Sequence, residues 1–356
     1  MQKHAEAIAS KHQVTTLYIC ADPNLRTGFE IEQSVIAKVA TTVVYYPAHK
    51  RSFLTKLSAF QKGLDALKKQ GSADFDLTHF NITWNAGWQA LWMKWRFGLP
   101  YLISENYTGF DTSSRSDQPK GLRTFSRIIT KNAAYVCPVT QNLATVMQKF
   151  GLPGNYHIVP NVVNTDLFKI HSPRIEKLRF LHISTLNDAH KNISGILRCW
   201  KICSDALPHI HLKLGGDGPV ETYMTLATEL GIRSDSISFF GTKSPAEVAA
   251  LMHESDCLLL FSNYENLPLV MIESLACGMA VISTNAGGVA EHIDEKLGYV
   301  IEKRDEHALI NALMKYSSES DKFKPENQRQ YAIEHFSVPS IVAQFEVVYH
   351  KMLHTR

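Results

Sequence analysis

The chain has 356 residues, of which 45% are hydrophobic and 20% charged, with a formal net charge of +3. That length leaves room for two domains, since one hydrophobic core seldom grows beyond about 250 to 300 residues. No stretch approaches the roughly 18 uninterrupted apolar residues of a membrane-spanning helix, and six cysteines without paired or CxxC spacing exclude a disulfide framework, so a soluble, cytoplasmic protein is expected.

Taken in chain order, "MQKHAEAIASKHQ" has the pattern of an amphipathic helix and lacks the features of a signal peptide. An α/β domain normally begins with a strand and a glycine-bearing loop, so a strand, loop and partial turn of about 20 to 25 residues are expected to precede this helix. "QVTTLYICA" and "VATTVVYYPA" are β-branched and aromatic runs that read as strands separated by a polar loop. "SFLTKLSAFQKGLDALKKQG" reads as a helix, "FDLTHFN" as a strand, "WNAGWQALWMKWRFG" as a helix and "LPYLISEN" as a strand. "RTFSRIITKNA", "AYVCPVT" and "QNLATVMQKFG" continue the alternation as helix, strand and helix. Alternation of this kind predicts a parallel sheet covered by helices on both faces.

"GNYHIVPNVVNTDLF" has no helical period and reads as a linker. Beyond it, "KLRFLHISTL", "IHLKLGG", "ISFFG", "DCLLLFSN" and "MAVIST" read as strands. The helices between and after them are "KNISGILRCWKICSDA", "ETYMTLATELG", "SPAEVAALMHES" and "PLVMIESLACG". "GGVAEHI" reads as a turn into a short helix, and "FSVPSIVAQFEVVYHKML" as a long terminal helix. Cys199 and Cys203, four apart on one of these helices, read as small core residues. His209 and His211 lack the third ligand that a metal site needs.

The two halves differ in charge. Residues 1–165 carry 18 basic against 10 acidic residues, and residues 166–356 carry 19 against 24. A basic first half can face anionic lipid, a phosphate-bearing acceptor or nucleic acid. Without dense basic clusters, nucleic acid is not expected and a solvated surface is the simpler reading. Basic residues interleaved with Phe53, Leu54, Trp95 and Phe97 keep peripheral contact with an anionic bilayer open.

Candidate chemistry gathers in loops after the strands of the second half, where open α/β sheets bind ligands. Lys191 is expected at a helix start, where free N–H groups and the helix dipole suit a phosphate. "GGDGPVE" brings Gly216 into a glycine-rich turn, and "FFGTKS" places Gly241 and Thr242 where backbone can pass beneath a flat base. In "YENLPLVMIESLACG", Pro268 is preorganised to start a helix, leaving the N–H groups of Leu269 and Val270 unpaired. Glu265 then precedes that helix and Glu273 lies inside it among apolar neighbours. A carboxylate placed there is costly unless hydrogen-bonded, and sugar or ribose hydroxyls are suitable partners.

At these residues the second half resembles the donor domain of retaining glycosyltransferases of family four, which share the two-Rossmann-domain architecture called GT-B. "YENLPLVMIE" is similar to that family's motif of two glutamates separated by seven residues. "VPNVVNTDLF", "LGGDGP" and the terminal helix resemble its linker, donor loop and crossing helix. The resemblance implies an α/β GT-B fold with two Rossmann-like doubly wound parallel-sheet domains facing a cleft. Residues 1–160 would bind the acceptor, 161–336 would bind the donor, and 337–356 would form a helix returning to the first domain.

The resemblance also implies site roles. Glu265 would be catalytic and hold the transferred sugar, with Asn266 and Asn106 on the sugar and acceptor side. Lys191, Ser184 and the amides of Leu269 and Val270 would hold the diphosphate; Glu273, Gly216, Gly241 and Thr242 would hold the nucleoside. Two positions depart from the family pattern. Ser184 and Thr185 stand where many relatives have an arginine, and Asn106 where many have a histidine, so hydrogen bonding and not proton handling is implied for Asn106. The expected activity is transfer of a hexose from a nucleotide-diphosphate sugar to a glycan or lipid-linked acceptor, retaining, with no metal and no other cofactor. A catalytically impaired nucleotide-sugar-binding protein and a GT-B epimerase stay open as alternatives.

Overall fold

The computed structural model describes residues 2–50, 52–69, 71, 74–110, 121–170 and 178–354. The first half runs α1 (Gln2–Ile8), β1 (Thr15–Asp22), β2 (Glu30–Ile36), β3 (Val39–Pro47), α2 (Phe53–Lys69), β4 (Thr78–Asn81), α3 (Thr83–Phe97), β5 (Tyr101–Glu105), α4 (Leu122–Asn132), β6 (Tyr135–Pro138) and α5 (Gln141–Lys149). β5 is buried along its whole length, as expected of a parallel strand covered on both faces. α3 ends where Gly98 turns left-handed and its N–H bonds the Lys94 carbonyl.

Two features depart from the expected single, strictly alternating sheet. "EIEQSVI", expected as loop, forms β2 and pairs antiparallel with β3. All seven of its residues are exposed, so no hydrophobic alternation marks it. Its two-residue turn uses Ala37 (φ 48°) and Lys38 (φ 66°), both left-handed, without the glycine or asparagine that usually announces such a hairpin. The strands also form two three-stranded sheets, ordered β1-β3-β2 and β4-β5-β6. α2 spans them: Phe60, Leu64 and Leu67 share one apolar cluster with Leu17 and Ile19 of β1, Phe80 of β4 and Met93 of α3.

The second half runs β7 (Leu178–Ser184), α6 (Asp188–Lys191), α7 (Ile193–Ala206), β8 (Ile210–Gly216), α8 (Val220–Glu229), β9 (Ile237–Phe240), α9 (Pro245–His253), β10 (Cys257–Leu260), α10 (Leu269–Ala276), β11 (Ala280–Thr284), β12 (Gly298–Ile301), α11 (Glu306–Glu319), α12 (Pro325–Phe336) and α13 (Val338–His354). Its six strands form one parallel sheet, ordered β12-β11-β10-β7-β8-β9. α7 covers one face through Ile193, Ile196, Trp200 and Cys203, spaced three or four apart. α9 starts on a capping box, with the Ser244 hydroxyl accepting from Glu247 N–H and Pro245 beginning the first turn. Burial pushes the thiols of Cys199 and Cys203 up to about 12, as befits core residues.

No element is expected from sequence between "GGVAEHI" and the terminal helix, yet β12, α11 and α12 lie there. β12 has only four residues, and α11 is announced mainly by Asp305, whose side chain caps Ala308 N–H at 2.8 Å. α13 lies on the first half. Its buried stripe of Ile341, Val342, Phe345, Val348, Tyr349 and Met352 shares a cluster with Ala7, Ile8, Leu102 and Cys137. Tyr349 Oη lies 2.9 Å from His79 Nδ1, and burial lowers that imidazole to about 3.

Candidate active site

The strand order of the second half places a topological switch at its centre. The chain builds outward from β7 to β8 and β9, then returns to lay β10 on the other side of β7. The loops leaving β7 and β10 therefore diverge from neighbouring strand ends and open a crevice, the position where such sheets bind ligands. Lys191 follows β7 and Glu265 follows β10. Across the crevice Lys191 Nζ meets Glu265 Oε1 at 2.6 Å, and the Ser262 hydroxyl donates to the same oxygen at 2.8 Å. Both charged side chains are largely buried, at 18% and 8% exposure, so each supplies the counter-charge that the other's burial requires.

From sequence, Lys191 is expected at a helix start. It is instead the last residue of the single turn α6, because Asn192 takes a left-handed conformation (φ 51°) and restarts the chain as α7. The approach to Glu265 comes from this break.

Ser184, at the end of β7, is less free than expected. His182 is buried and held neutral, its imidazole lowered to about 4 by burial. His182 Nδ1 lies 2.8 Å from the Leu259 carbonyl, which can only accept, so Nε2 takes the proton of Ser184 Oγ at 2.9 Å. Ser184 Oγ also accepts from Leu186 N–H, so its hydroxyl hydrogen is committed inside the loop.

The glycine-rich turn has a packing reason as well. Gly216 has φ 137°, and a Cβ on it would fall on the Ser184 carbonyl oxygen. Gly241 has open space above its Cβ direction, and Thr242 beside it is exposed.

α10 begins at Leu269 behind Pro268 in an extended conformation (φ −62°, ψ 126°). Among the described residues no acceptor reaches the N–H groups of Leu269 and Val270; the first inward bond is Met271 N–H to the Pro268 carbonyl at 3.1 Å. Glu273 follows one turn later, is itself nearly buried, and pairs with Lys3 of α1 at 2.7 Å.

The loop carrying Glu265 is braced from both halves. Asn161 Nδ2 of the linker donates to the Leu267 carbonyl at 2.9 Å, and Asn266 Nδ2 donates to the Asn106 carbonyl at 2.7 Å. Gly287, left-handed at φ 59°, packs so closely on Glu265 that a Cβ would meet its carbonyl oxygen. Gly288 similarly lets Thr140 of the first half approach. Glu291 accepts from Gln141 N–H at 2.9 Å and Asn142 N–H at 2.6 Å, capping α5 across the cleft.

On the first half, Asn106 is exposed at the end of β5 behind a buried carboxylate. Glu105 accepts from Thr83 N–H and Oγ1 and from the N–H groups of Asn106 and Tyr107, at 2.6 to 3.0 Å. Burial still pushes its carboxyl pKa upward against these four bonds. Beside it Ile82, a β-branched residue, holds φ 65°, a backbone strain of about 1 to 3 kcal/mol at the β4–α3 junction facing the cleft. Lys3, Glu105, Asn161, Gly287, Gly288 and Glu291 make contacts at the candidate site that periodicity does not mark. Only the paired glycines of "GGVAEHI" carry a local signal.

Among the described residues no group of three His, Cys, Asp or Glu side chains is placed to hold a metal ion. None of the helices described is long and apolar enough to cross a membrane. Two α/β halves meeting at the C-terminal ends of their parallel strands define a GT-B glycosyltransferase fold. Sucrose-phosphate synthase from Thermosynechococcus elongatus shares it with a TM-score of 0.79 at 18% identity, over 100% of this chain and 92% of that one. So does Anabaena HepE in complex with UDP, with a TM-score of 0.72 at 18% identity, over 87% and 86%.

The family model for glycosyl transferases group 1 matches residues 163–335, and that for glycosyltransferase family 4 matches residues 2–167. The chain belongs to the family four glycosyltransferases. The N-acetyl-alpha-D-glucosaminyl L-malate synthase of Bacillus anthracis is 30% identical over 178 residues, 49% of this chain and 45% of that relative. The chain spans about half the length of the curated relatives it matches.

Proposed function

We propose that the chain moves a hexose from a nucleotide-diphosphate sugar to a glycan or lipid-linked glycan, with retention of anomeric configuration and without a divalent metal. The observation that carries this reading is the Lys191–Glu265 pair at the switch point, beside the unpaired N–H groups of Leu269 and Val270. Departure of a nucleoside diphosphate develops negative charge on the phosphate oxygen. An ammonium and two fixed N–H groups stabilise that charge without reorganising during the reaction. Glu265 then has two tasks: it orients Lys191 and accepts hydroxyls of the transferred hexose. Glu273 takes the ribose hydroxyls, and Gly216, Gly241 and Thr242 border the nucleoside.

The acceptor enters from the first half, past Ile82 and Asn106. Asn106 cannot act as a base, so the departing phosphate oxygen is the group that takes the acceptor's proton, on the face where the new bond forms. The UDP held by HepE supports uridine diphosphate sugars as the first donors to test.

The test is release of nucleoside diphosphate from UDP-, GDP- and ADP-hexoses, with and without a chelator. Turnover that survives chelation, with an α-linked product from an α-linked donor, is expected. The commitment of the Ser184 hydroxyl to His182 favours a second reading, a protein that binds nucleotide sugars without turning them over. Nucleotide binding with no turnover of any of these donors would select it.

A further inference from the structure

We propose that Lys3 is a positioning residue of the nucleoside site, contributed by the first half: it holds one oxygen of Glu273 and so presents the other to the ribose. This rests on the nucleotide-sugar reading above. Lys3 Nζ lies 2.7 Å from Glu273 Oε1 across 270 residues of sequence, and no other hydrogen bond to that carboxylate is made among the described residues. The Glu273 side chain is 8% exposed, with Met271, Ile272 and Leu275 buried around it. A carboxylate so placed requires a charged partner. Lys3 supplies it while keeping 39% of its own side chain exposed.

Lys3 is not a wandering surface lysine. The next residue, His4, is buried and donates from Nε2 to the Pro160 carbonyl at 2.9 Å, with its ring edge-on to Phe345 at 5.2 Å. Ala7 and Ile8, one turn on, pack with Ile341, Val342 and Phe345 of α13. α1 is therefore fixed to the linker and to α13. The Lys3 ammonium lies 6.0 Å from the centre of the Phe168 ring. A ribose hydroxyl reaching Glu273 Oε2 thus meets a carboxylate whose rotamer is set from the opposite half, which ties nucleoside affinity to the seating of the two halves.

The experiment measures UDP, GDP and ADP binding by calorimetry, and donor KM and kcat, for the full chain and its variants. Lys3→Met is expected to weaken the best-bound nucleotide and raise donor KM about tenfold, as for a lost hydrogen bond to a charged group, with kcat changed less than about twofold. Lys3→Arg is expected to restore most of the affinity. In a Glu273→Gln background Lys3→Met should add nothing further, as expected of two residues acting through one contact. Unchanged affinity in Lys3→Met overturns the proposal, and so does tighter binding, which would make Lys3 a competitor of the ribose. If the unaltered chain binds none of the three nucleotides, the nucleotide-sugar reading falls and this proposal falls with it.

Discussion

The two halves of the molecule hold their loops by different means. In the second half six parallel strands share one ladder, and every residue of β10 and β11 is buried. In the first half two three-stranded ladders stand side by side; none of the eight residues of β1 is fully buried and all seven of β2 are exposed. One continuous sheet fixes the spacing of its strand ends by backbone hydrogen bonds. Two ladders bridged by α2 leave more of that task to contacts made with the other half. Asn266 to the Asn106 carbonyl, Glu291 to α5, Asn161 to the Leu267 carbonyl and Lys3 to Glu273 are such contacts. The strand ends of the second half are therefore aligned by their own sheet, while the loops at the seam are held jointly by both halves.

The largest effect should come from breaking the pair that the continuous ladder aligns. Lys191→Met or Glu265→Gln is expected to lower turnover by about two to three orders of magnitude, the scale seen when a group that stabilises transition-state charge is removed. Each single change also leaves a buried charge without its partner, at a cost of about 3 to 5 kcal/mol. Thermal unfolding should show the second effect, and the double variant should regain much of the lost stability while staying inactive. Full activity in the double variant would remove this pair from the mechanism.

The second half offers a smaller and more discriminating test. Gly216→Ala forces a Cβ onto the Ser184 carbonyl at φ 137° and should destabilise the sheet edge by about 2 to 4 kcal/mol. Gly241→Ala meets open space and should leave the melting temperature unchanged. If a base lies over Gly241, nucleotide affinity should still fall about threefold to tenfold, the scale of one lost close contact. Equal melting of both variants would show that the turn at Gly216 relaxes, and would weaken the view of this edge as rigid.

Those two glycines also show what the sequence makes legible. A strand ending in glycine before a proline-started helix is a local signal, and so is a glutamate set in an apolar helix; Gly216, Pro268 and Glu273 are singled out that way, and Glu265 as the carboxylate of the loop ahead of that helix. The pairing of Lys191 with Glu265 spans 74 residues and depends on β10 returning beside β7, a fact of strand order that no window of sequence contains. β2 escapes notice because an edge strand exposed on both faces needs no apolar alternation. Glu105 lies hidden because four hydrogen bonds, and not its neighbours in sequence, make its burial tolerable.

Acid should sharpen the contrast at the seam between α1, β4 and α13. Burial lowers His4 to about 4 and His79 to about 3, both below the ordinary value of 6.5. Protons then bind the unfolded chain first, so stability present above pH 6.5 is lost as pH falls toward 4, by up to about 3 kcal/mol for each imidazole. His182 of the second half, lowered to about 4, adds to the same slope. Protection against hydrogen exchange, corrected for the intrinsic rate, should therefore fall at pH 5 in α1 and α13 as well as around β7. His79→Gln should flatten the pH dependence of melting, and an unchanged profile would show that His79 does not titrate on unfolding.

The smallest expected effect belongs to the exposed apolar residues of the first half. Phe53 and Leu54 at the start of α2 and Trp95 near the end of α3 are more than half exposed, and Lys68 and Arg96 lie against the Phe97 ring. Such residues would gain from the headgroup region of an anionic bilayer, each basic group adding about 1 kcal/mol and each apolar group a comparable amount. Leu54→Asp with Trp95→Asp should lower co-sedimentation with phosphatidylserine vesicles about fivefold to tenfold, and leave turnover of a soluble acceptor unchanged because neither residue touches the crevice. The loss should shrink at high salt, since the basic part of the attraction is screened. Equal sedimentation of the unaltered chain with neutral and anionic vesicles would remove lipid from the list of partners. The difference between the halves would then lie in how their sheets are built and not in what surface they face.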